Sequence, residues 1–573
     1  MKIMKKLLIP IIIVCSIPLL SSCLDSNYDL SDIDTTARFR VNDLVVPVNL
    51  DAITLDCALD LNDSSRVKKC GDEYAIIEEG EFSSNAIEVK SFTADGGEYD
   101  SQMSIDLIND PIYIASPARR VRANAVRLAH ADIPNNSTEV KASTDDADPS
   151  VVSISRIGTE MNVKLSLKFD GLTRYIRRID IEDLEMQFIK GLEMETSMGS
   201  YNPETGKLTI GDTQTNTNHE VEVYIHVTGI DAEKAGIIFH KGTFGINDEA
   251  RVTKGLLAVY DDQLIDSKPV ELPPSVGYTL TATVGNCAVT TFSGKLRYDI
   301  TGIDIAPIDM GNIPEMFTQE GTNVILDNPQ IYLALNNPLR QAGYGLNAQA
   351  GVSITGNDTY STANNAIVLD KADNSLLISP YVPKTLYDGF ENAKHVPFAD
   401  LGKVVSGGAF PQQIGIDIVS PMIPTQQINN FKLGTTLPAV HGRWLFYAPL
   451  SLTESSLIKF TKTWDDWQSE DLDGLTVENG ELTATFSSDV PLSLDITFIL
   501  LGAEGELTGK ATLPANAKDV DLAIPLTGSE VSKIYGLTID ARIKGDGKTL
   551  SPSQQITVKN LKAKLNGYYD REL

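Results

Sequence analysis

Residues 161–169 read MNVKLSLKF, and this stretch decides the fold. Met161, Val163, Leu165, Leu167 and Phe169 alternate with Asn162, Lys164, Ser166 and Lys168. Successive side chains of a strand point to opposite faces, so a strict period of two buries one set and wets the other. The rhythm returns at Val221, Val223, Ile225 and Val227. It returns again at Leu492, Leu494, Ile496, Phe498 and Leu500, at Val520, Leu522, Ile524 and Leu526, and at Leu537, Ile539, Ala541 and Ile543.

Turn residues separate these runs: Asn202-Pro203-Glu204-Thr205-Gly206, Gly71-Asp72 and Gly545-Asp546-Gly547. Asn, Asp and Gly tolerate the left-handed backbone that tight turns need. Helical periodicity is short and rare, with candidates at Ile313–Gln319, Phe398–Val405 and Ser529–Tyr535. The pattern predicts an all-β chain of tandem antiparallel β-sandwich domains with a few short helices. Polar or Pro-broken stretches at 130–150, 306–320 and 436–455 suggest the divisions. They give an N-terminal β domain over 36–140, sandwiches over 150–305 and 306–440, and a C-terminal β domain over 441–573.

Composition narrows the function. The chain has 573 residues, 48 Lys+Arg against 77 Asp+Glu, a net charge of −29 and 42% hydrophobic residues. That apolar content can build cores. The acidic balance excludes nucleic acid as a partner, since phosphates must be met by Lys and Arg. It also opposes adhesion to anionic membrane surfaces.

The first 22 residues read MKIMKKLLIPIIIVCSIPLLSS. Lys2, Lys5 and Lys6 precede an apolar run over 7–20, too short to span a bilayer and shaped as an export signal. The segment ends Leu20-Ser21-Ser22-Cys23, which resembles the bacterial lipobox. The resemblance implies cleavage before Cys23 and acylation of its thiol and new amino group. Loss of residues 1–22 removes three lysines and no acids, which takes −29 to −32. Residues 23–35 then form an acidic tether, with Asp25, Asp29, Asp32 and Asp34. It resembles the tethers of Bacteroidetes surface lipoproteins. Leu44–Leu50 and Glu73–Gly80 are similar in texture to uncharacterised lipoproteins of gut Bacteroides. These likenesses imply outer-membrane anchoring through lipid, at the cell surface, rather than an activity.

The search for chemistry is mostly negative. None of the six histidines has helical zinc-protease spacing, and there is no nucleophile elbow or phosphate loop. No cofactor and no metal is expected. The acidic turns Asp145-Asp146-Ala147-Asp148 and Glu470-Asp471-Leu472-Asp473 lack the spacing of a calcium loop. Arg119, Arg120, Arg122 and Arg127 form one basic cluster, read as paired with the chain's own acids. Cys57 and Cys70 flank a turn-rich stretch; they either bridge or sit as small buried thiols in neighbouring strands. Cys287 reads as a buried strand thiol.

All three tryptophans fall within 24 residues: Trp444, Trp464 and Trp467, with Tyr447 beside the first. Trp464-Asp465-Asp466-Trp467 mixes flat apolar faces with hydrogen-bond acceptors, as sugar sites do. The alternatives are core tryptophans of one β domain or a glycan or partner contact. The expected function is a non-catalytic envelope lipoprotein that binds a glycan or an envelope protein, or has a structural role in an envelope complex. A second expectation is a pilin-like assembly subunit cut after an arginine, such as Arg38, Arg40 or one of Arg119–Arg127. A glycan-active enzyme is the third.

Overall fold

The computed structural model describes residues 36–47, 53–55, 59, 61, 65–110, 126–172, 176, 178–261, 272–356, 359–406, 410–465 and 474–572. Cys23, Cys57, Asp466, Trp467, Arg119, Arg120, Arg122 and residues 470–473 lie outside them. The described residues are all-β, as the alternation predicts. Two short α-helices, Pro338–Gln341 and Leu401–Ser406, and one 3-10 turn, Glu315–Phe317, interrupt the strands.

Residues 161–169 sit in Val151–Asp170, one of two 20-residue strands of a central sheet. Met161, Val163, Leu165, Leu167 and Phe169 are buried, and Asn162, Lys164 and Lys168 face outward. One edge pairs with Glu220–Asp231. The other edge pairs with Ser275–Val284 and Cys287–Asp299, laid end to end and broken at Gly285-Asn286. The sheet then continues through Gln413–Lys432, Ala348–Gly356 and Thr359–Leu369. This one sheet therefore joins the segments expected as separate sandwiches over 150–305 and 306–440.

Two further sheets share the central sheet's apolar core. One is built on Thr243–Asp261, flanked by Arg178–Gln187, Asn136–Thr144 and Val126–Asp132. Phe92 of the central sheet meets Phe244 of this one, ring centroids 5.4 Å apart. The other runs Lys394–Pro397, Asp373–Ser379, Gln330–Asn336, His441–Pro449, Glu73–Ser83, Val67–Cys70, with its first pair parallel. One continuous cluster of buried aliphatic and aromatic side chains links the sheets. Each fully buried Val, Leu, Ile or Phe contributes roughly 1.5–3 kcal/mol through water exclusion.

The terminal sheet is different. Leu475–Ser488, Val520–Gly528, Glu506–Leu513, Leu492–Glu504 and Val531–Gly545 pair in turn, and the last pairs back to the first. The five strands close a small ring around a core of its own: Leu475, Val477, Leu500, Leu507, Leu526, Val531 and Ile534. Closure removes free edges within the ring. Outside it, Gln555–Glu572 pairs with Leu475–Ser488, and the N-terminal strand Thr36–Pro47 pairs with Gln555–Glu572.

The helix expected at Ser529–Tyr535 is instead the start of strand Val531–Gly545. Val531 and Ile534 both enter the ring core at helix-like spacing because Lys533 adopts φ 50°, which inserts a kink between them. The candidate at Phe398–Val405 appears as Leu401–Ser406, and Ile313–Gln319 contracts to the 3-10 turn. The segment 36–140 spreads its strands over the molecule. Thr36–Pro47 joins the terminal sheet, Glu73–Ser83 the six-stranded sheet, Glu98–Asp106 the central sheet and Val126–Asp132 the sheet built on Thr243–Asp261.

Candidate binding cleft

Of the aromatic residues singled out in the sequence, Trp444 and Tyr447 are described with their side chains, and they lie on opposite faces of one strand. Trp444 lies in His441–Pro449 and is 5% exposed, in the core shared with the central sheet. Tyr447 is three residues on and faces the other side of that sheet. There it packs with Tyr332, Tyr387, Phe390 and Leu445, under the segment 380–393. Its ring lies 5.2 Å from Tyr387, and its hydroxyl donates to Glu73. Both faces of this strand are covered from Trp444 to Tyr447, so the aromatics there are packing residues, and burial leaves the Trp444 indole no face for a sugar. Trp464 closes strand Leu457–Trp464, opposite Leu537 in the terminal sheet; its side chain is outside the description. Asp465 is exposed.

The cysteines and charges have plain places. Cys70 is a half-buried free thiol, and Cys287 is buried beside the Thr159 hydroxyl, 3.2 Å away. Burial pushes both thiols up, Cys70 with help from Glu73. Asp148 accepts from the backbone N–H of Lys90 and Ser150, both at 2.8 Å, so this acidic turn is satisfied internally. Arg127 pairs with Asp110 at 2.8 Å, and His130 shares that carboxylate. No group of three His, Cys, Asp or Glu among the described residues is placed to hold a metal ion.

A cleft of about 560 Å³ instead opens on the outer face of the central sheet. Four strands build it: Leu192–Thr196, Glu220–Asp231, Val151–Asp170 and Ser275–Val284. The alternation that buries Val163 and Ile225 turns Asn162, Lys164, Tyr224 and His226 outward. Register sets them side by side. Glu195, His226 and Asn162 are cross-strand partners in one row, and Tyr224, Lys164 and Thr283 form the next. Such neighbours lie within about 5.5 Å of each other at Cβ. Gly285 breaks the strand beside Asn162 and donates its N–H to the Asn162 carbonyl at 2.8 Å; a side chain there would strike that carbonyl.

Tyr224 is 53% exposed, a large aromatic ring on an otherwise polar face. Its backbone is clamped to Ser197 on both sides, N–H to Oγ at 2.9 Å and carbonyl to N–H at 2.8 Å. The ammonium of Lys164 lies 6.0 Å from the ring and 2.5 Å from Glu222. That hydrogen bond holds the Glu222 carboxyl below its ordinary range and pushes the Lys164 ammonium above its own. His226 bonds the Asn162 Oδ1 through Nδ1 at 3.0 Å and approaches Glu160 through Nε2 at 3.3 Å. Sequence reasoning missed this site. The available signal was Tyr224 itself, an aromatic at the wet position of the alternation Val221, Val223, Ile225, Val227.

A second, smaller hollow lies over Ala334 on the six-stranded sheet, between Glu81, Arg443, Asn336, Asp373 and Ser375. The Arg443 guanidinium sits 5.1 Å over the Phe390 ring. No protein-family model matches the chain, and no characterised protein matches it in sequence.

Proposed function

We propose that the chain is a lipid-anchored outer-membrane lipoprotein, displayed at the cell surface, that acts by binding a glycan or protein partner. The Tyr224 cleft is the observation that carries the binding half of this reading. It joins an exposed aromatic face to hydrogen-bonding groups fixed on rigid strands, the combination small ligand sites use. The location rests on the export signal and on Cys23 in its lipobox-like setting. Thr36, the first described residue, is thirteen positions past Cys23, so the tether reaches at most about 45 Å. The strand Thr36–Pro47 joins the terminal sheet, so in this reading the tether enters the folded body there. Two or more acyl chains suffice for stable anchoring.

The test is metabolic labelling of cells with an alkyne fatty acid. Full-length protein should carry label and partition into detergent. The Cys23→Ala variant should lose both. Label persisting in Cys23→Ala, or missing from the wild type, overturns the anchor. Protease shaving of intact cells tests the surface assignment, which protection of the protein would contradict.

One observation favours the pilin-like reading. Thr36–Pro47 is an edge strand containing Arg38 and Arg40, and cutting after either would free part of the edge of Gln555–Glu572. An amino terminus starting after Arg38 or Arg40 in surface material would support it. An intact acylated Cys23 on the assembled protein would exclude it.

A further inference from the structure

We propose that the Tyr224 cleft binds a neutral oligosaccharide, one sugar ring lying on Tyr224 with its hydroxyls held by Glu195 and Asn162. This names the ligand class of the binding reading above and rests on it. The cleft leaves some of its polar groups unspent and commits others. Its basic side chains are committed: Lys164 is held by Glu222, and His226 lies between Asn162 and Glu160. The Glu195 carboxylate is exposed and has no hydrogen bond or ion pair among the described residues. Within the lining Glu195 balances Lys164, and Glu222 and Glu160 stand beside it, so the cleft has acidic surroundings and no spare ammonium, which disfavours phosphate, sulfate or carboxylate ligands.

Its polar groups suit hydroxyls. A carboxylate accepts from two neighbouring hydroxyls at once, and Glu195 is such a group standing free. Asn162 spends its Oδ1 on His226, and its two Nδ2 donors have no partner among the described residues. Thr196 and Ser197 line the same edge, but the Thr196 hydroxyl donates to the Met198 carbonyl at 2.9 Å and the Ser197 Oγ accepts from the Tyr224 N–H, so each keeps only part of its capacity. Val163 and Ile225 turn their side chains into the core, so the apolar surface the cleft offers comes from the Tyr224 ring and the stems of polar side chains. Tyr224 is the one flat apolar face. A ring with C–H bonds on its faces and hydroxyls around its rim fits that arrangement. The cleft volume of about 560 Å³ falls within the roughly 300–1,000 Å³ range of small-ligand sites.

Full-length protein in detergent is screened against immobilised neutral, amino, uronic-acid and sulfated oligosaccharides, and hits are titrated in solution. The expected result is binding to neutral oligosaccharides. Tyr224→Ala should weaken it on the order of tenfold, the worth of one aromatic contact. Tyr224→Phe should hold affinity within about threefold, and Glu195→Gln should lose about tenfold through the charged hydrogen bond. All three sites are exposed, and unchanged circular dichroism excludes misfolding. Binding confined to anionic or amino sugars overturns the proposal, as does neutral-sugar binding that survives Tyr224→Ala. An envelope protein retained by the wild type and lost with Tyr224→Ala, without sugar binding, overturns the glycan assignment while leaving the binding reading standing. Neither sugar nor protein binding overturns both.

Discussion

Trp444 lies flat against Gly80 on the neighbouring strand: a Cβ on Gly80 would come within 2.8 Å of three indole atoms. Gly80 and Trp444 are register partners in the six-stranded sheet, so the glycine is the space the indole fills. Trp444→Ala should cost roughly 3–5 kcal/mol by opening a cavity. Gly80→Ala should cost roughly 1–3 kcal/mol by overpacking. The buried Trp444 Nε1–H has no hydrogen-bond partner among the described residues, so Trp444→Phe should cost far less than the alanine change. Chemical unfolding midpoints check the order. Folded Trp444→Phe should keep wild-type ligand affinity, because the indole is inside.

Tyr278 makes the opposite prediction. It is 1% exposed and stacks on Phe169, centroids 5.7 Å apart and planes within 14°. Its hydroxyl is buried with no partner among the described residues. An unpaired buried hydroxyl costs free energy, so Tyr278→Phe should stabilise the protein by about 1 kcal/mol. A lower unfolding midpoint for this variant would contradict that.

Alkaline pH should test the same residue. Burial pushes the Tyr278 phenol well above its ordinary value, and burial is also the largest cause for Tyr201, Tyr332 and Tyr447. A raised folded-state value means the stabilisation is complete below the unfolded value near 10. It is lost as pH climbs through the folded one. For Tyr278, above pH 10, the loss approaches about 1.4 kcal/mol per pH unit. Phenolate absorbance should show the buried tyrosines ionising only with unfolding, and Tyr278→Phe should lose less stability between pH 10 and 11 than the wild type.

The alternation made the sheets legible because burial in a strand follows its two-residue period, and Met161 to Phe169 show it. The reading failed where the backbone breaks the period. Lys533 shifts the frame, so Val531 and Ile534 imitate a helix. It also failed where pairing is non-local: nothing in residues 36–140 tells which distant strand each will join. Proximity in sequence says nothing about face: Trp444 and Tyr447 point to opposite sides of one strand, and both sides are covered at these two positions. The cleft stayed hidden because Asn162, Glu195 and Tyr224 come from three strands, and only register makes them neighbours.

Ring closure in the terminal sheet depends on a glycine. Gly505 links Leu492–Glu504 to Glu506–Leu513 at φ +75°, and a Cβ there would stand 1.9 Å from the Glu530 carbonyl oxygen. Gly547 has a similar φ of +79° with nothing within 4 Å. Gly547→Ala should cost only the left-handed backbone penalty, about 1–2 kcal/mol. Gly505→Ala should cost roughly 2–4 kcal/mol, since the carbonyl must move as well. Equal unfolding midpoints for the two variants would show that the Glu530 contact does not hold the ring.

Asn337 offers the sharpest test of a buried polar group. It is fully buried at the Asn-Pro turn that starts helix Pro338–Gln341. Its Oδ1 accepts from the N–H of Leu339 and Arg340, at 3.2 and 3.4 Å. Its Nδ2 donates to the carbonyls of Leu346 and Leu369, both at 2.9 Å. All four hydrogen-bonding positions of the amide are filled. Asn337→Ala should cost roughly 3–5 kcal/mol, as those groups lose partners out of reach of water. Asn337→Asp is nearly isosteric, yet it replaces two donors with an oxygen facing two carbonyl oxygens. The carboxyl should therefore sit above its ordinary value of about 3.9. With the folded value raised, the protonated form is favoured below the unfolded value and its advantage fades as pH rises. The deficit of Asn337→Asp against wild type should thus be smaller at pH 4 than at pH 7, whereas that of Asn337→Ala should not change. A pH-independent deficit for both variants would mean that the two carbonyls do not oppose the side chain at position 337.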